Sequence, residues 1–352
     1  MAPNLLITGA AGYIGGTVLR SLLSANVIPP LNIWAIVRSD AQAESLRPLY
    51  VNIAQVSLTD NEAVKALVID NNIEIVIHTA SAVDPTPAIP LLEALRDQKQ
   101  QTNQPVHFIH TSGVSAFADK TGWPHGAAKE SDDLLTLQRD IAVPYPIRET
   151  DVAIHQTGTE NGVAVYTVVP PLVYGKGAGT GNRMSVQIPA VIRAAIANKQ
   201  VHRFAENSEW PAVHVVDLAE YYSSLIQSIV EHRSIPSGKN GYYLVSSHTF
   251  NWHDLLSALA QDLFARNLVS SANVALWPSE GIKTKSLGIP SPYSDIAWNS
   301  NASVLVDRHN ELGWQPQWDY ERFLRDIDKE VDAVLEAGDN VKDLGNLLPN
   351  QS

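Results

Sequence analysis

Three glycines at a spacing of three, Gly9, Gly12 and Gly15, stand in the run Thr8-Gly9-Ala10-Ala11-Gly12-Tyr13-Ile14-Gly15. The run follows Asn4–Thr8, which reads as a strand, and opens Tyr13–Ser24, whose apolar residues recur at helical spacing. Glycine at such places permits a tight turn, close approach of the backbone to a pyrophosphate, and close packing of helix on strand. The first turn of the helix then offers free N–H groups and a partial positive charge to phosphate. Arg38 and Ser39 lie at the end of the next strand candidate. An arginine there holds the 2′-phosphate of a dinucleotide ribose, whereas an acid binds the 2′-hydroxyl, and Asp40 keeps that second reading open.

These residues need a scaffold that delivers strand ends to one edge. The first half of the chain supplies one. Strands are expected at Asn4–Thr8, Asn32–Val37, Tyr50–Val56, Ile73–His78, Val106–Thr111 and Ala164–Val169. They are continuous apolar runs rich in Ile and Val, the pattern of strands buried on both faces. Helices are expected at Tyr13–Ser24, Asn61–Asp70, Ile89–Gln98 and Glu149–Glu160. The alternation predicts an α/β fold, a doubly wound parallel sheet of Rossmann type with right-handed crossovers. Beyond Pro170 the pattern changes. Gly175–Arg183 reads as a loop, Ser185–Lys199 as a helix, residues 201–217 as extended, Asp217–Glu231 and Asp319–Leu335 as helices, and residues 275–300 show little periodicity. The expected organisation is a dinucleotide domain over 1–170 with returning segments about 211–250. A smaller C-terminal substrate-binding lobe takes 171–210 and 251–335, and a polar tail 336–352.

The chain has 352 residues, a formal net charge of -12 and no cysteine. The absence of cysteine excludes a disulfide scaffold, a thiolate metal site and a cysteine nucleophile. The acidic balance argues against nucleic acid and anionic membrane as partners. Neither a leader segment nor an apolar run of about 18 residues is visible. The expectation is a cytoplasmic monomer or homodimer acting on a small molecule. No metal site is expected, since His107 and His110 sit three apart on a strand and face opposite sides. No GxSxG supports a serine hydrolase.

The GxxGxxG spacing resembles the short-chain dehydrogenase/reductase superfamily in its extended or atypical branch, the NAD-dependent epimerase/dehydratase group, with a likeness to dihydroflavonol reductases. Further segments are similar in order and spacing. They are Ile77-His78-Thr79-Ala80-Ser81-Ala82 after the fourth strand and Phe108-Ile109-His110-Thr111-Ser112-Gly113 at the fifth. Val169-Pro170-Pro171-Leu172-Val173-Tyr174-Gly175 follows the sixth. Val213-His214-Val215-Val216-Asp217-Leu218-Ala219 and Leu312-Gly313-Trp314-Gln315-Pro316 complete the set. The resemblance implies NADP(H) as cofactor. It places Thr8, Gly9, Gly12, Tyr13, Ile14, Gly15, Arg38, Ser39, Ser57, Leu58, Thr79, Ala80, Ser81, Thr111, Arg148, Pro170, Leu172 and Val173 around it. Ser57-Leu58 stands where the family has Asp-Leu.

The family's catalytic set is a Tyr acid, a Lys four residues later and a Ser that binds the substrate oxygen. This chain departs from it. The Ser place falls on Gly113, with Ser112 and Ser115 nearby. Tyr145 and Arg148 are three apart, and placing Tyr145 on the family Tyr puts Glu149 where Lys belongs. In one reading Tyr145 is the proton donor, Arg148 the cation and Ser112 the carbonyl ligand. In the other Tyr145 and Arg148 are structural. His214, His125 and Tyr174 are further candidate acids. Asn182, Arg183 and Gln187 are expected near a largely apolar substrate, and Trp123, Trp210, Trp277 and Trp298 either wall that substrate or close the core of the smaller lobe. The implied function is NADPH-dependent reduction of a carbonyl, C=C or C=N bond. The alternatives are an epimerase, dehydratase or isomerase, and a non-catalytic NADP-sensing regulator resembling the NmrA-like proteins.

Overall fold

The computed structural model describes residues 2–338. Most of the expected tail therefore lies outside the described residues. The strands in chain order are β1 (Asn4–Thr8), β2 (Ile33–Val37), β3 (Asn52–Gln55), β4 (Ile73–His78), β5 (His107–Thr111), β6 (Ala164–Val169), β7 (Leu172–Tyr174), β8 (Glu209–His214), β9 (Tyr242–Leu244) and β10 (His248–Asn251). The helices are α1 (Tyr13–Ser24), α2 (Asp40–Leu46), α3 (Asn61–Asp70), α4 (Ile89–Thr102), α5 (Leu134–Arg139), α6 (Pro146–Glu160), α7 (Gln187–Asn198), α8 (Val215–Val230), α9 (Trp252–Ala265), α10 (Glu280–Leu287), α11 (Tyr293–Trp298), α12 (Tyr320–Arg325) and α13 (Ile327–Ala337).

The main sheet has the order β9-β6-β5-β4-β1-β2-β3, and its pairings are parallel. The strand order reverses between β1 and β4, the switch point where open α/β sheets bind ligands beyond their carboxyl ends. Burial on both faces explains the continuous apolar runs. Leu5, Leu6 and Ile7 are all fully buried, Leu5 and Ile7 in one cluster and Leu6 in another. The expected Rossmann-type sheet is thus observed.

A second, three-stranded sheet, β10-β8-β7, carries the lobe. Its core includes Phe250, Trp252, Leu255 and Phe323. Two of the recognised motifs meet here for a physical reason. The Asp217 carboxylate, buried in the first turn of α8, accepts the backbone N–H groups of Gln317 and Trp318, both at 3.0 Å. Trp314 Nε1 donates to the Asp217 carbonyl at 2.8 Å. The returning C-terminal segment is pinned to α8 by these bonds. Glu130 acts similarly, accepting from Leu244 N at 2.9 Å, Asp307 N at 2.6 Å and Arg308 N at 2.7 Å.

The structure differs from expectation in several places. β9, a three-residue strand, completes the main sheet where no separate strand was expected. Helix α6 starts at Pro146, because proline at the first helical position has no N–H to lose. The expected helix Asp319–Leu335 breaks at Asp326 into α12 and α13. Residues 275–300 contain α10 and α11, too short and too weakly amphipathic to show in the pattern. Among the described residues no helix is long and apolar enough to cross a membrane.

Candidate active site

The glycine loop is shaped by backbone crowding. Gly9 has φ +71°, in the left-handed region, and a Cβ on it would meet the Thr79 hydroxyl and carbonyl. A Cβ on Gly15 would collide with the Gly9 carbonyl and the same hydroxyl. Thr79 Oγ1 in turn donates to the Thr8 carbonyl at 2.7 Å, tying the β4 turn to the end of β1. Gly12 caps α1 with no side-chain hydrogen bond, and the first turn holds no acid. Its N–H groups are thus left for an anion, and the cradle fits a pyrophosphate.

A second glycine-rich segment closes over this loop. Tyr13 donates its hydroxyl to the Gly175 carbonyl at 2.7 Å, and Asn182 N donates to the Ala11 carbonyl at 2.9 Å. Gly179 lies against Gly16, and Gly181 against Ala11, so close that a side chain on either would clash with backbone. The loop also braces itself through Arg183 Nε, which donates to the Gly177 carbonyl at 2.6 Å.

Around the rest of the slot, Arg38 is exposed at the end of β2, and its backbone N–H donates to Gln42 Oε1 at 2.8 Å. Ser39 caps α2 by accepting from Gln42 N. The Ser57 hydroxyl pairs with Thr59 Oγ1, and Leu58 packs on the apolar core. Ser81 accepts from Val83 N and Asp84 N, bracing the turn that holds exposed Ala80. Pro170 takes the Val114 N–H, Leu172 is buried in the lobe core, and Val173 packs on the main sheet's core.

The candidate catalytic corner is arranged differently from expectation. Tyr145 is the extended residue before α6, a conformation that Pro146 imposes on it. Its hydroxyl donates to Ser115 Oγ at 2.9 Å. Ser115 lies in the 3-10 turn Val114–Phe117 just after β5. Burial pushes the Tyr145 phenol above its ordinary value, against the weaker pull of Ser115 and Arg148. The phenol is therefore a proton donor at neutral pH.

Ser112 and Arg148 are brought to this corner but committed elsewhere. Ser112 is buried and donates to Asp151 Oδ2 at 2.8 Å. Arg148 is 2% exposed. Its two terminal nitrogens donate to the carbonyls of Ala116, Thr121 and Val143 and to Thr121 Oγ1. Four of its five N–H donors are thus used inside the protein. Thr111 is likewise turned away, bonded to the Tyr222 hydroxyl of α8 at 2.6 Å. Glu149 is exposed.

Sequence reasoning missed Asp151. It joins Ser112 to His110, whose Nε2 lies 3.1 Å from Asp151 Oδ1. The serine and the imidazole both bond to the carboxylate and not to each other, so the trio does not activate a nucleophile. It belongs to a registered polar row across the sheet: Thr8, His78, His110, Thr167 and Tyr242. Thr8 Oγ1 bonds His78 Nδ1 at 3.0 Å, and His155 of α6 bonds Thr167 Oγ1 at 2.8 Å. Burial lowers both His78 and His155 to about 3, so both stay neutral. The expected opposition of His107 and His110 is seen, with His107 bonded to the Tyr166 hydroxyl. An Asp at an inward position of α6 is the one signal that was available.

The tryptophans fall mostly to packing. Trp123, Trp210 and Trp298 are buried in the lobe core, with Nε1 donating to the carbonyls of Gly126, Ser300 and Gln187 respectively. Trp210 and Trp298 lie on β8 and α11 rather than in loops. Trp277 stacks on His202. Trp123, Trp210 and Trp298 thus follow the core-packing reading, and Trp277 packs against that core.

A family model, that of the NAD dependent epimerase/dehydratase family, matches residues 5–236. The chain belongs to this family. The resemblance drawn from the motifs is thereby established, and with it a nicotinamide-dinucleotide-dependent, oxidoreductase-like fold. Oxidase ucsJ of an Acremonium species is 27% identical over 338 residues, covering 90% of this chain and 93% of the relative. Among solved structures, UDP-glucose-4-epimerase from Stenotrophomonas maltophila, with bound NAD, aligns with a TM-score of 0.66 and 16% identity. That alignment covers 96% of this chain and all of the other. An L-threonine dehydrogenase from Cupriavidus necator aligns with a TM-score of 0.64 and 16% identity, covering 93% and 99%. These likenesses establish the fold.

Proposed function

We propose that this family member is an NADPH-dependent oxidoreductase that reduces a carbonyl, C=C or C=N bond of a small, largely apolar organic substrate. The observation that carries the reading is the Tyr145–Ser115 hydroxyl pair at the carboxyl end of the sheet. The glycine loop lies at the same end, two strands away. The bound nicotinamide supplies the hydride. Tyr145 supplies the proton, held in its donor form by burial. Ser115 accepts the Tyr145 hydrogen bond and hands a hydroxyl to the substrate oxygen, in place of Ser112. Arg148 holds the Ala116–Val143 turn around Tyr145 and lies 5.2 Å over its ring. It supports the acid and leaves the ribose to other groups. The glycine loop holds the pyrophosphate, and Arg38 takes the 2′-phosphate. Kinship with an oxidase is in keeping with redox chemistry on this fold.

The direction of reaction follows from the phenol. Reduction needs a protonated tyrosine, whereas oxidation needs a phenolate. The family's lysine, which would favour a phenolate, is replaced here by an exposed Glu149. A purely dinucleotide-binding regulator is the second reading, favoured by the commitment of Ser112 and Arg148 to internal bonds. The test is NADPH oxidation followed at the nicotinamide absorbance across a panel of small ketones, enones and imines. Turnover that Tyr145→Phe abolishes supports the reductase. Tight NADPH binding with no turnover on the whole panel supports the regulator, and absence of NADPH binding overturns both.

A further inference from the structure

A cavity of about 320 Å³ lies between the ends of β7 and β8 and the last two helices. It shares no lining residue with the glycine loop, Arg38 or the Tyr145–Ser115 pair. The rings of Tyr174 and Phe323, 4.5 Å apart, and the side chains of Ile327 and Ala333 give it apolar walls. One acid in this lining stands apart from the rest. Glu330 of α13 is 6% exposed, and its Oε1 accepts the Gly175 N–H at 2.5 Å. Among the described residues no donor reaches its Oε2 and no cation pairs with it.

The other charges of the lining are held in ion pairs. Lys176 pairs with Glu336 at 2.7 Å, and Asp332 with Arg266. Lys329, Arg322 and Arg325 share Asp326, and Arg322 covers one face of Trp318. The other face of Trp318 is covered by His214, whose ring lies 3.9 Å away. His214 Nδ1 accepts from Val216 N, which puts the proton on Nε2. The Tyr174 hydroxyl is buried in the same wall with no hydrogen-bond partner. The cavity thus presents one uncompensated carboxyl above an apolar, aromatic floor.

We propose that this cavity binds an amphipathic organic amine, its ammonium group at Glu330 and its hydrocarbon or aromatic body against Tyr174, Phe323 and Ile327. A cation within ion-pair distance is what Glu330 lacks among the described residues. An ammonium supplies a donor to the free Glu330 oxygen and is attracted by the aromatic faces. An anion would meet the Glu330 carboxylate, and a neutral alcohol would leave the buried acid without a counter-charge. Burial has raised the Glu330 carboxyl to about 7. The groups around it from the packed elements are Tyr13 of α1, Tyr174 of β7, Lys176, His214 of β8 and Arg322 of α12. Lys329, Asp332 and Glu336 share its helix, α7 brings Arg193, and α9 brings Asp262 and Arg266. Tyr13 and Tyr174 are held above their ordinary range and His214 is lowered to about 3. Glu330 is therefore the group that answers a ligand near pH 7.

The experiment is titration calorimetry of the full chain with 2-phenylethylamine at pH 7, in two buffers of different ionisation enthalpy. Binding is expected with net proton release at pH 7 that diminishes as the pH is raised. 2-Phenylethanol and 3-phenylpropanoate are expected to bind at least about tenfold more weakly. Glu330→Gln keeps an acceptor for Gly175 and removes the charge, and Ala333→Phe fills the cavity and keeps the charge. Each is expected to weaken the amine at least about tenfold with an unchanged circular dichroism spectrum. The proposal is overturned by equal affinity for 3-phenylpropanoate, by amine binding that either folded variant leaves intact, or by no amine binding up to about 10 mM.

Discussion

The glycine-loop end of the sheet and the Tyr145 corner lie at the same edge of the molecule, yet they are built on different principles. At the first, the chemistry is done by backbone. Gly9 is set by its φ and by Thr79, Gly15 by the Gly9 carbonyl and Thr79, and Gly12 by the Gly9 carbonyl. At the second, the side chains that could have acted have been recruited by neighbours. Ser112 is held by Asp151, Thr111 by Tyr222, and Arg148 by the carbonyls of a loop. A backbone site is decided by local spacing. A side-chain site is decided mostly by residues that the fold brings together from 27 to 111 positions away.

The sharpest way to test this contrast is to damage each end in turn. Gly15→Val puts a branched side chain into the Gly9 carbonyl and is expected to abolish dinucleotide binding, with a stability loss of about 1–3 kcal/mol. Fluorescence titration with NADPH and urea unfolding measure both. Tyr145→Phe is expected to leave NADPH affinity within about twofold and to lower turnover by about 10²-fold or more. The intact protein's reductive rate should hold steady through neutral pH. The donor form is lost only as pH rises through a phenol value that already lies above 10.0. A rate falling between about pH 7 and 9 would place the proton elsewhere.

Arg38→Asp is expected to weaken NADPH by about 10- to 100-fold and to spare NADH, since one charge-assisted contact is removed. Asp151→Ala leaves His110 and Ser112 buried without their acceptor and is expected to cost about 3 kcal/mol in urea unfolding. Ser115→Ala is the mildest, with an expected loss of about tenfold in turnover through one neutral hydrogen bond.

The same contrast explains what could be read from the amino acids. The first six strands of the parallel sheet, the helices α1 and α3, and the glycine loop follow from apolar runs and glycine spacing, both of which are local. β9 is missed because three residues in the middle of a Pro-, Gly- and Ser-rich stretch carry too little pattern. Arg148 reads as a cation next to Tyr145, and it is one. Its orientation depends on carbonyls of Ala116 and Thr121, which nothing in its own neighbourhood announces. Asp151 shows the converse case. It is an ordinary helix residue in the sequence and becomes the hub of a buried network only when β5 is laid beside α6.

A structure of the full chain with bound NADPH tests the central claim most directly. The account predicts the pyrophosphate on the first turn of α1 and the 2′-phosphate at Arg38. It predicts the Tyr145 hydroxyl facing the nicotinamide across a space that admits a substrate double bond, one atom toward the nicotinamide and the other about 3 Å from the Tyr145 hydroxyl. A nicotinamide ring turned away from Tyr145 and Ser115, or Arg148 released from its carbonyls onto the ribose, would contradict it.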